Sequence, residues 1–348
     1  MSKKIIFLYP ELTPYFLGCI NIFSDHYPKI NLHIVYDKIF EKVLLKNNLK
    51  YSLIQKDEFQ SKKDLYSYCF NLKPSVIIIS GRMYSDYLYV ARKMNNICTR
   101  VTVQDTIYIK SFKQFIIRNL SFFLYKIYFD KFWGVGDLQR KFALDIGYQE
   151  QNIYDGFYVA DKIFFEASKK NEFSKNNTTF LFIGRLVEEK NILRLVRLIE
   201  SINHDENVNH KINIIGSGYL KDKILKYKCV NYKGSLNQRQ IIDIANDSDV
   251  FCLPSIYEPW GVVTHEMVAL GLPVLISNKC GSGDLVKNEI NGFKFDPLND
   301  FSIISAIKKF TSLSNSQKKD FSLNSIKISK TITHTLWNKT LLSLIVKR

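Results

Sequence analysis

Residues 250–276 read VFCLPSIYEPWGVVTHEMVALGLPVLI and contain the pattern that decides the fold. Residues 250–253 and 273–276 are short apolar runs, typical of strands buried on both faces of a sheet. Between them a loop leads into a helical segment at 264–269. A strand, a crossover helix and a second strand form one βαβ unit, and repeated units of this kind build an open parallel sheet.

The same alternation continues on both sides of a polar segment, residues 166–177. Further strands are predicted at 4–9, 32–36, 76–80, 99–103, 131–135, 179–183, 211–215 and 230–233. Helices are predicted at 84–94, 114–127, 189–199, 218–228 and 238–246. We therefore expect two Rossmann-like domains, at 1–165 and 178–330, joined by a linker at 166–177. Residues 331–348 form a last helix for which the sequence gives no docking site.

Composition excludes several classes of protein. A chain of 348 residues with 46% apolar content can bury two cores. The six cysteines lack CxxC spacing and the six histidines lack ligand spacing, so we expect reduced thiols, no bound metal and no cofactor. No apolar run approaches the roughly twenty residues that span a bilayer, and the run before Pro10 is too short for a signal peptide. These features predict a cytoplasmic protein.

The formal charge of +16 favours nucleic acid, anionic lipid or phosphorylated ligands. No RNP, zinc-finger or helix-turn-helix pattern accompanies the lysines, so nucleic acid is not expected as a partner. Residues 108–131 interleave basic and aromatic side chains at near-helical spacing. This segment is either a core helix with a solvated basic face or an interfacial helix on an anionic membrane; both interpretations stay open.

Two glycine-containing turns follow predicted strands. Gly184 comes after the strand at 179–183 and is followed by Arg185 and Lys190, an arrangement that can clamp a diphosphate or can simply be a solvated turn. Gly216-Ser217-Gly218 begins like a dinucleotide fingerprint, but its third glycine is replaced by Lys221. NAD binding is therefore disfavoured, and a tight turn near a nucleotide is expected.

Two acidic patterns lie further along the chain. Asp247-Ser248-Asp249 matches a metal-binding DxD, but Asp249 enters a predicted strand at its amino end and is expected to be a structural cap. Glu258 and Glu266 lie eight residues apart across the start of a predicted helix. Because a helix N-terminus holds phosphate through backbone N–H groups, both carboxylates would lie near the same anionic ligand.

These motifs together resemble the family 4 retaining glycosyltransferases, also called glycosyltransferase group 1, which have the GT-B fold. The matching pieces, in order, are Gly184-Arg185-x4-Lys190, Gly216-Ser217-Gly218, Leu253-Pro254-Ser255, Glu258-x7-Glu266, Ala269-x-Gly271-x-Pro273-Val274 and Asn291-Gly292-Phe293. The resemblance implies an α/β fold of two doubly wound parallel sheets facing across a cleft. It covers roughly residues 178–297.

The resemblance also implies roles for single residues. Arg185 and Lys190 would bind the diphosphate of a nucleotide-sugar, with Gly184 and Gly216 bordering the nucleotide. The expected donor is a UDP-sugar, the commonest in the family, and a GDP-sugar stays open as the alternative. Glu266 would bind the ribose. Glu258 would contact the transferred sugar, together with backbone N–H groups near Gly261 and Val262. Transfer would retain the anomeric configuration without a metal, the donor phosphate accepting the acceptor's proton.

The first half departs from the family pattern. The usual Gly-Gly loop after the first strand is replaced by a stretch with one glycine, Gly18, which is expected to approach the phosphate. The usual His-Asp pair is Gln104-Asp105. Asp105 is expected either to face the acceptor or to cap a loop, and Gln104 cannot act as a base. His265 is expected to point away from the ligand.

The function implied is sugar transfer to a glycan or polyprenyl-linked acceptor in bacterial surface polysaccharide synthesis, with the protein peripheral on the inner face of the membrane. One alternative is a soluble transferase that acts on a small metabolite. Another is an inactive GT-B scaffold that binds a sugar nucleotide or a partner, favoured by the incomplete motifs of the first half.

Overall fold

The computed structural model describes residues 3–40, 48–105, 125–167, 172–174 and 177–345. The chain divides into two units: unit 1 is Met1–Val159 with Ile332–Arg348, and unit 2 is Ala160–Thr331. The division differs from the predicted boundary at residue 165, since residues 160–165 belong to unit 2. They are held there because the Ala160 N–H donates to His265 Nδ1 at 3.1 Å. The predicted segment 108–131 lies outside the described residues except for 125–131.

Unit 1 contains a seven-stranded parallel sheet with the strand order β3-β2-β1-β4-β5-β6-β7. The strands are β1 (Lys4–Leu12), β2 (Asn31–Ile39), β3 (Ser52–Gln55), β4 (Val76–Ser80), β5 (Thr99–Val103), β6 (Lys131–Trp133) and β7 (Ile153–Tyr154). The described helices are α1 (Pro14–His26), α2 (Lys62–Leu72), α3 (Ser85–Lys93), α4 (Asp137–Asp145) and the C-terminal α12 (His334–Ile345). Consecutive residues of β1, from Ile5 to Leu8, are completely buried, as expected for a central parallel strand covered on both faces.

Unit 2 contains a six-stranded parallel sheet with the order β10-β9-β8-β11-β12-β13. The strands are β8 (Thr179–Ile183), β9 (Lys211–Ile215), β10 (Val230–Gly234), β11 (Val250–Leu253), β12 (Val274–Ser277) and β13 (Gly292–Phe295). Its described helices are α5 (Lys162–Glu166), α6 (Ile192–Glu206), α7 (Lys221–Ile224), α8 (Gln238–Asn246), α9 (Val262–Ala269), α10 (Asp300–Thr311) and α11 (Asn315–Ser329). The predicted βαβ unit of residues 250–276 is β11-α9-β12.

Each sheet has a switch point, where successive strands begin to be added on the opposite side. In unit 1 the switch lies between β1 and β4, and in unit 2 it lies between β8 and β11. Loops leave a switch point in opposite directions and open a crevice at the carboxyl ends of the strands, where open α/β sheets bind ligands. Ligand binding is therefore expected at these two edges.

The C-terminal helix α12 docks on unit 1. Trp337 is completely buried, and its Nε1 donates to the Phe157 carbonyl oxygen at 3.1 Å. Its ring stacks on Phe7 of β1 with centroids 6.4 Å apart and lies 5.3 Å from the Trp133 ring. The predicted last helix thus covers the sheet of the first half of the chain.

Candidate active site

The carboxyl edge of the sheet in unit 2 collects the site residues predicted in the second half of the chain. Those that follow β8 and β9 are Gly184, Arg185, Lys190 and Gly216; those that follow β11 are Glu258, Gly261, Val262 and Glu266. Strands β8 and β11 are the neighbours at the switch point. The parallel fold therefore brings two sets of residues, far apart in sequence, to one edge.

The glycines of the first two turns let the two loops pack directly on each other. Gly216 and Gly218 have φ of 134° and 155°. A Cβ at Gly216 would overlap the carbonyl oxygen of Gly184, and one at Gly218 would overlap that of Leu186. The Leu186 N–H donates to the Ser217 carbonyl oxygen at 2.8 Å, which joins the loops. Gly216 thus shapes the backbone beside the site.

Lys190 lies just before α6, in a short turn that is separated from the helix. The predicted helix at 189–199 is instead a short 3-10 turn at Glu188–Lys190 followed by α6, which begins at Ile192. Asn191 between them has φ 54°, the left-handed conformation that asparagine tolerates better than most residues. Its side chain donates to the Pro297 carbonyl oxygen at 2.8 Å. Lys190 is therefore held outside α6, on the loop that leaves β8.

Lys190 and Glu258 form an ion pair across the switch point. The Lys190 ammonium donates to Glu258 Oε2, and the two side chains are only 14% and 12% exposed. The backbone of Glu258 is fixed as well, because its carbonyl oxygen accepts from the Gly281 N–H at 2.9 Å. Low exposure strengthens such a pair relative to one on the surface. The sequence placed these two residues in separate motifs, and the structure makes them partners.

Arg185 lies directly after Gly184 at the end of β8, and its side chain is exposed. No ion pair within the described ranges includes it, whereas Lys190 is paired. An exposed guanidinium at the carboxyl edge is available to an incoming anion, and its planar fork suits bidentate contact with phosphate oxygens.

Helix α9 starts at the same edge. Gly261, with φ 83°, precedes its first residue, Val262, and a Cβ at Gly261 would lie 3.1 Å from Glu258 Cγ and 3.2 Å from Leu253 Cδ2. The first turn of α9 carries no acidic residue. Its N–H groups and helix dipole therefore favour an anion at this point, beside the Glu258 side chain.

Glu266 lies in the second turn of α9 and is half-buried. Burial, with a smaller contribution from the Asp161 carboxylate, raises its pKa from the ordinary 4.5 to about 8. At neutral pH the carboxyl group therefore keeps its proton, so it can donate one hydrogen bond as well as accept one. Asp161 was missed by sequence reasoning; the available signal was its place as N-cap of α5, where its carboxylate accepts from the Ile163 N–H at 3.2 Å.

Two other polar residues of unit 2 are structural, as predicted. Asp249, at the amino end of β11, accepts hydrogen bonds from the N–H groups of Ser174 at 2.9 Å and Thr179 at 2.7 Å. His265 is completely buried; its Nδ1 accepts from the Ala160 N–H, and its Nε2 lies 3.1 Å from the Ser329 carbonyl oxygen. Asp249 thus caps the strand entry, and His265 holds two chain segments together.

The predicted residues of unit 1 lie at the carboxyl edge of its own sheet. Gly18 is in the second turn of α1, half-buried, so it is not at the helix start where backbone N–H groups face a ligand. Asp105 follows β5, is half-buried, and its carbonyl oxygen accepts from Gln139 Nε2 at 2.8 Å. Gln104 is buried and bonded to the Tyr125 hydroxyl at 3.1 Å, which takes it away from any ligand.

Within the described ranges, no group of three or more His, Cys, Asp or Glu side chains could hold a metal ion. All six cysteines are free thiols, as predicted. In the same part of the chain no helix is long and apolar enough to cross a bilayer.

Residues 164–327 match the family model of the glycosyl transferases group 1. This part of the chain is a group 1 glycosyl transferase domain. It contains Arg185, Lys190, Glu258 and Glu266, the residues on which the resemblance of the sequence was based. The match falls on unit 2, where the fold brings those residues to one edge.

Two curated relatives match part of the chain. An uncharacterized glycosyltransferase of Methanocaldococcus jannaschii is 33% identical over 155 residues, which is 40% of this chain and 39% of the relative. The UDP-Gal:alpha-D-GlcNAc-diphosphoundecaprenol alpha-1,3-galactosyltransferase of Escherichia coli is 34% identical over 149 residues, 39% of this chain and 37% of that enzyme. The alignments thus span about two fifths of the length of either relative.

Solved structures cover the whole chain. Anabaena HepE in complex with UDP matches 98% of this chain and 98% of its own, with a TM-score of 0.76 and 14% identity. An identity this low establishes the fold alone. The predicted fold class, GT-B with two Rossmann-like domains, is confirmed.

Proposed function

We propose that the protein is a retaining glycosyltransferase that moves a sugar from a nucleotide-sugar, a UDP-sugar by preference, to a glycan or lipid-linked acceptor. The observation that carries this proposal is the convergence of Arg185, the Lys190–Glu258 pair and the start of α9 on the switch point of a group 1 domain. The uridine preference is supported by the UDP bound to Anabaena HepE and by the UDP-Gal in the name of the E. coli relative.

The diphosphate is assigned to the cationic side of the site. When the bond from the sugar to the diphosphate breaks, negative charge develops on the leaving oxygen. Arg185, Lys190 and the N-terminus of α9 supply fixed positive charge and N–H donors against that charge. This is stabilisation of the leaving group by the protein's own residues, and we propose that no metal ion is required for it.

The sugar and the ribose are assigned to the carboxyl groups. Glu258 accepts hydrogen bonds from sugar hydroxyls, and its ion pair with Lys190 fixes the carboxylate before the substrate arrives. Glu266, protonated at neutral pH in the free protein, binds a ribose hydroxyl as donor or acceptor. Gly184, Gly216, Gly261 and Val262 set the backbone around the substrate, and Gly261 also allows the close approach of Glu258.

The acceptor is assigned to unit 1, with the protein in the cytoplasm and peripheral on the inner face of the membrane. The formal charge of +16 supports attraction to anionic lipid, and the lipid-linked acceptor in the name of the E. coli relative supports an acceptor of that class. Co-sedimentation with phosphatidylglycerol vesicles tests the membrane part. A protein that stays in the supernatant at low salt would instead act on a soluble acceptor, such as a small metabolite.

The donor site is tested by thermal unfolding with UDP-, GDP- and ADP-sugars in the presence of EDTA. A ligand that binds only the folded state raises the melting temperature by mass action. We expect a shift with one nucleotide series, strongly reduced in Arg185→Ala and Glu266→Ala. Arg197→Ala, an exposed arginine of the same unit paired with Asp300, is the matched control and should keep the full shift.

Absence of a shift in the melting temperature would also be decisive. No shift with any nucleotide-sugar, in a wild-type protein that unfolds cooperatively, would contradict the donor-site assignment. The inactive scaffold would then be the better account, with Gln104 tied into the core of unit 1 as its most specific support.

A further inference from the structure

A cavity of about 560 Å³ lies at the amino edge of the sheet in unit 1. Its wall is formed largely by the segments that lead into β5 and β6, and it includes Thr99, Asp130 and Lys131. Strand β5 has five residues, about 16 Å in length, and this length separates the cavity from Asp105 at the carboxyl edge. The cavity has the size of a site for a small ligand, and none of the family motifs includes its residues.

The carboxylate in this wall is fixed by a buried arginine. Arg100 is 2% exposed, and its Nε and Nη2 donate to the two carboxylate oxygens of Asp130 at 3.2 and 2.8 Å. The Arg100 backbone N–H donates to the same carboxylate at 2.9 Å. The Asp130 side chain is 39% exposed, and these three bonds leave the carboxylate able to accept a fourth. Asp130 therefore offers a ligand hydroxyl a positioned acceptor whose charge is already paired.

Lys131 supplies positive charge to the same wall. Its ammonium donates to the Tyr154 hydroxyl at 3.1 Å and lies 5.3 Å from the centre of the Tyr154 ring. Among the described residues the Lys131 ammonium has no carboxylate partner, and it keeps two further hydrogens to donate. Lys126, which is exposed, lines the cavity as well. An acidic group of a ligand is therefore favoured beside Lys131.

Uncharged polar side chains complete the polar part of the wall. The hydroxyls of Ser75 and Thr99 and the amide of Asn96 line the cavity, and none of these three side chains has a hydrogen-bond partner in the described part of the chain. A hydroxyl donates and accepts, and an amide does both through separate atoms. These groups match a ligand with several hydroxyls.

The cavity also has an apolar part. Tyr148 and Phe129 line it and are 6% and 1% exposed, and the Tyr148 ring lies 5.7 Å from that of Phe132. Ile97, also in the lining, is 40% exposed. The two rings are held by packing before any ligand binds. The C–H groups of a sugar ring form an apolar surface that packs on side chains of this kind.

These groups together select a class of ligand. A simple anion would bind to Lys131 but would leave the hydroxyls and the apolar part without contacts. A neutral sugar would bind to the hydroxyls and to Asp130 but would leave the Lys131 charge unmatched. A sugar with one acidic group contacts the ammonium, the carboxylate acceptor, the hydroxyls and the apolar part at once.

We propose that this cavity binds a sugar that carries one acidic group, as a uronic acid or a sugar phosphate does, with the acidic group on Lys131 and hydroxyls on Asp130 and Thr99. The inference goes beyond the proposed function, because the cavity lies at the edge of the sheet opposite to Asp105. It is a binding site that takes no part in the transfer, and its ligand is detected without a donor.

The test titrates the full-length protein with methyl glucuronide and with glucose 6-phosphate, followed by saturation-transfer NMR. Methyl glucoside is the neutral probe, and acetate and inorganic phosphate are added as competitors that lack a sugar ring. The variants are Lys131→Gln, which removes the charge, and Thr99→Val, which removes a hydroxyl and keeps the shape.

Two control variants locate the binding. Lys56→Gln is the matched control for Lys131, since Lys56 lies in the same unit, with its Nζ 5.6 Å from the ring centre of Tyr84 and 3.2 Å from Asp86. Arg185→Ala reports whether an acidic sugar binds at the donor site of unit 2 instead.

We expect at least one acidic sugar to bind the wild type about tenfold more tightly than methyl glucoside, and more tightly than either competitor. Lys131→Gln should weaken this binding about tenfold or more, the loss typical of a hydrogen bond to a charged group. Thr99→Val should weaken it about two- to tenfold, the loss typical of a neutral hydrogen bond. Lys56→Gln and Arg185→Ala should keep the wild-type affinity. The tighter of the two acidic sugars identifies the acidic group as carboxylate or phosphate.

Several results would overturn the proposal. Neither acidic sugar binds, or methyl glucoside or a simple anion binds as tightly as they do, or the affinity is unchanged in both Lys131→Gln and Thr99→Val. Loss of binding in Arg185→Ala would assign the acidic sugar to the donor site and would also overturn it. If Lys131→Gln does not fold, Thr99→Val decides alone, since it removes only a hydroxyl. The outcome is independent of the proposed function, because no measurement requires sugar transfer.

Discussion

Lys190 and Glu258 belong to different motifs and are 68 residues apart. Their ion pair joins the loop after β8 to the loop after β11, as does the hydrogen bond from the Ile256 N–H to the Glu189 carbonyl oxygen at 2.9 Å. Removing one partner leaves the other charge unpaired and poorly hydrated. This lowers the free energy of unfolding more than removal of both partners does. The pair therefore has an energetic signature that can be measured without knowing the substrate.

We predict that Lys190→Gln and Glu258→Gln each lower the free energy of unfolding by about 1–3 kcal/mol, and that the double variant loses clearly less than the sum. Urea unfolding followed by circular dichroism gives the coupling energy. The control cycle uses Lys308 and Glu206, an exposed pair of the same unit, for which coupling of about 0.5 kcal/mol or less is expected. If the losses of stability in the two single variants add up to the loss in the double variant, Lys190 and Glu258 do not interact and the ion pair is contradicted.

Glu266 makes stability depend on pH in a direction opposite to that of most carboxylates. Its pKa is 4.5 when unperturbed and about 8 in the folded protein, so between these values the folded state binds more protons than the unfolded state. Stability contributed by the protonated group is complete below pH 4.5 and is lost as the pH rises through about 8.

We therefore predict that Glu266→Gln gains stability relative to wild type as the pH increases from about 5 to about 8, by at most about 1.4 kcal/mol per unit of the pKa difference. Urea unfolding of both proteins across this range measures the difference. Parallel stability curves for the two proteins would show that the carboxyl group is not shifted.

The sequence allowed the site residues to be predicted, but not the residues with which they interact. Arg185, Lys190, Glu258 and Glu266 came from the resemblance, and the structure places all four at one edge. The Lys190–Glu258 pair could not be predicted, because the sequence pattern placed Lys190 inside a helix, whereas Asn191 is left-handed and α6 begins only at Ile192. The effect of Asp161 on Glu266 depends on burial, which no local pattern encodes.

At the scale of elements, the contact between the β8 and β9 loops depends on Gly216. We predict that Gly216→Ala costs more than about 3 kcal/mol, because its Cβ would meet a backbone oxygen that cannot move aside. Gly234→Ala is the matched control: its φ is 71°, but a Cβ there would have nothing within 4 Å, so only about 1–2 kcal/mol of backbone strain is expected. Denaturant unfolding separates the two, and equal losses would contradict the packing argument.

Most strands and helices could be predicted, because a strand buried on both faces is a continuous apolar run that is easily recognised in the sequence. Strands β4, β5, β8, β9 and β11 and helix α8 have the predicted bounds. The strands β3, β7 and β13 were missed: all three are edge strands, β7 has two residues, and β13 begins with a glycine. The predicted helix at 218–228 is reduced to Lys221–Ile224 in the described structure, since Gly218 is used to pack against Leu186.

At the scale of the whole molecule, the chain returns to its first unit after completing the second. The order of domains could be predicted from the alternating pattern, but the docking of α12 could not, since the Trp337–Phe157 contact joins residues 180 positions apart. The domain boundary near residue 160 depends on a similar buried bond, from Ala160 to His265.

We predict that Trp337→Ala destabilises unit 1 by about 3–5 kcal/mol, the range for removing a large buried aromatic side chain. Hydrogen exchange should accelerate in β1, which packs against Trp337, and stay unchanged in β8. Leu336→Ala, at a neighbouring side chain that is 40% exposed, should cost about 0.5 kcal/mol or less. Equal acceleration of exchange in both sheets would contradict the docking of α12 on unit 1.

We propose that the carboxyl edge of unit 2 binds a nucleotide-sugar and promotes loss of its diphosphate without a metal. The most direct measurement is the release of nucleoside diphosphate from a panel of nucleotide-sugars in EDTA, compared between wild type, Lys190→Gln and the control Arg197→Ala. We expect release from one nucleotide series by wild type and by Arg197→Ala, and a loss of about a hundredfold or more in Lys190→Gln. No release by folded wild-type protein, or equal release by Lys190→Gln, would contradict it.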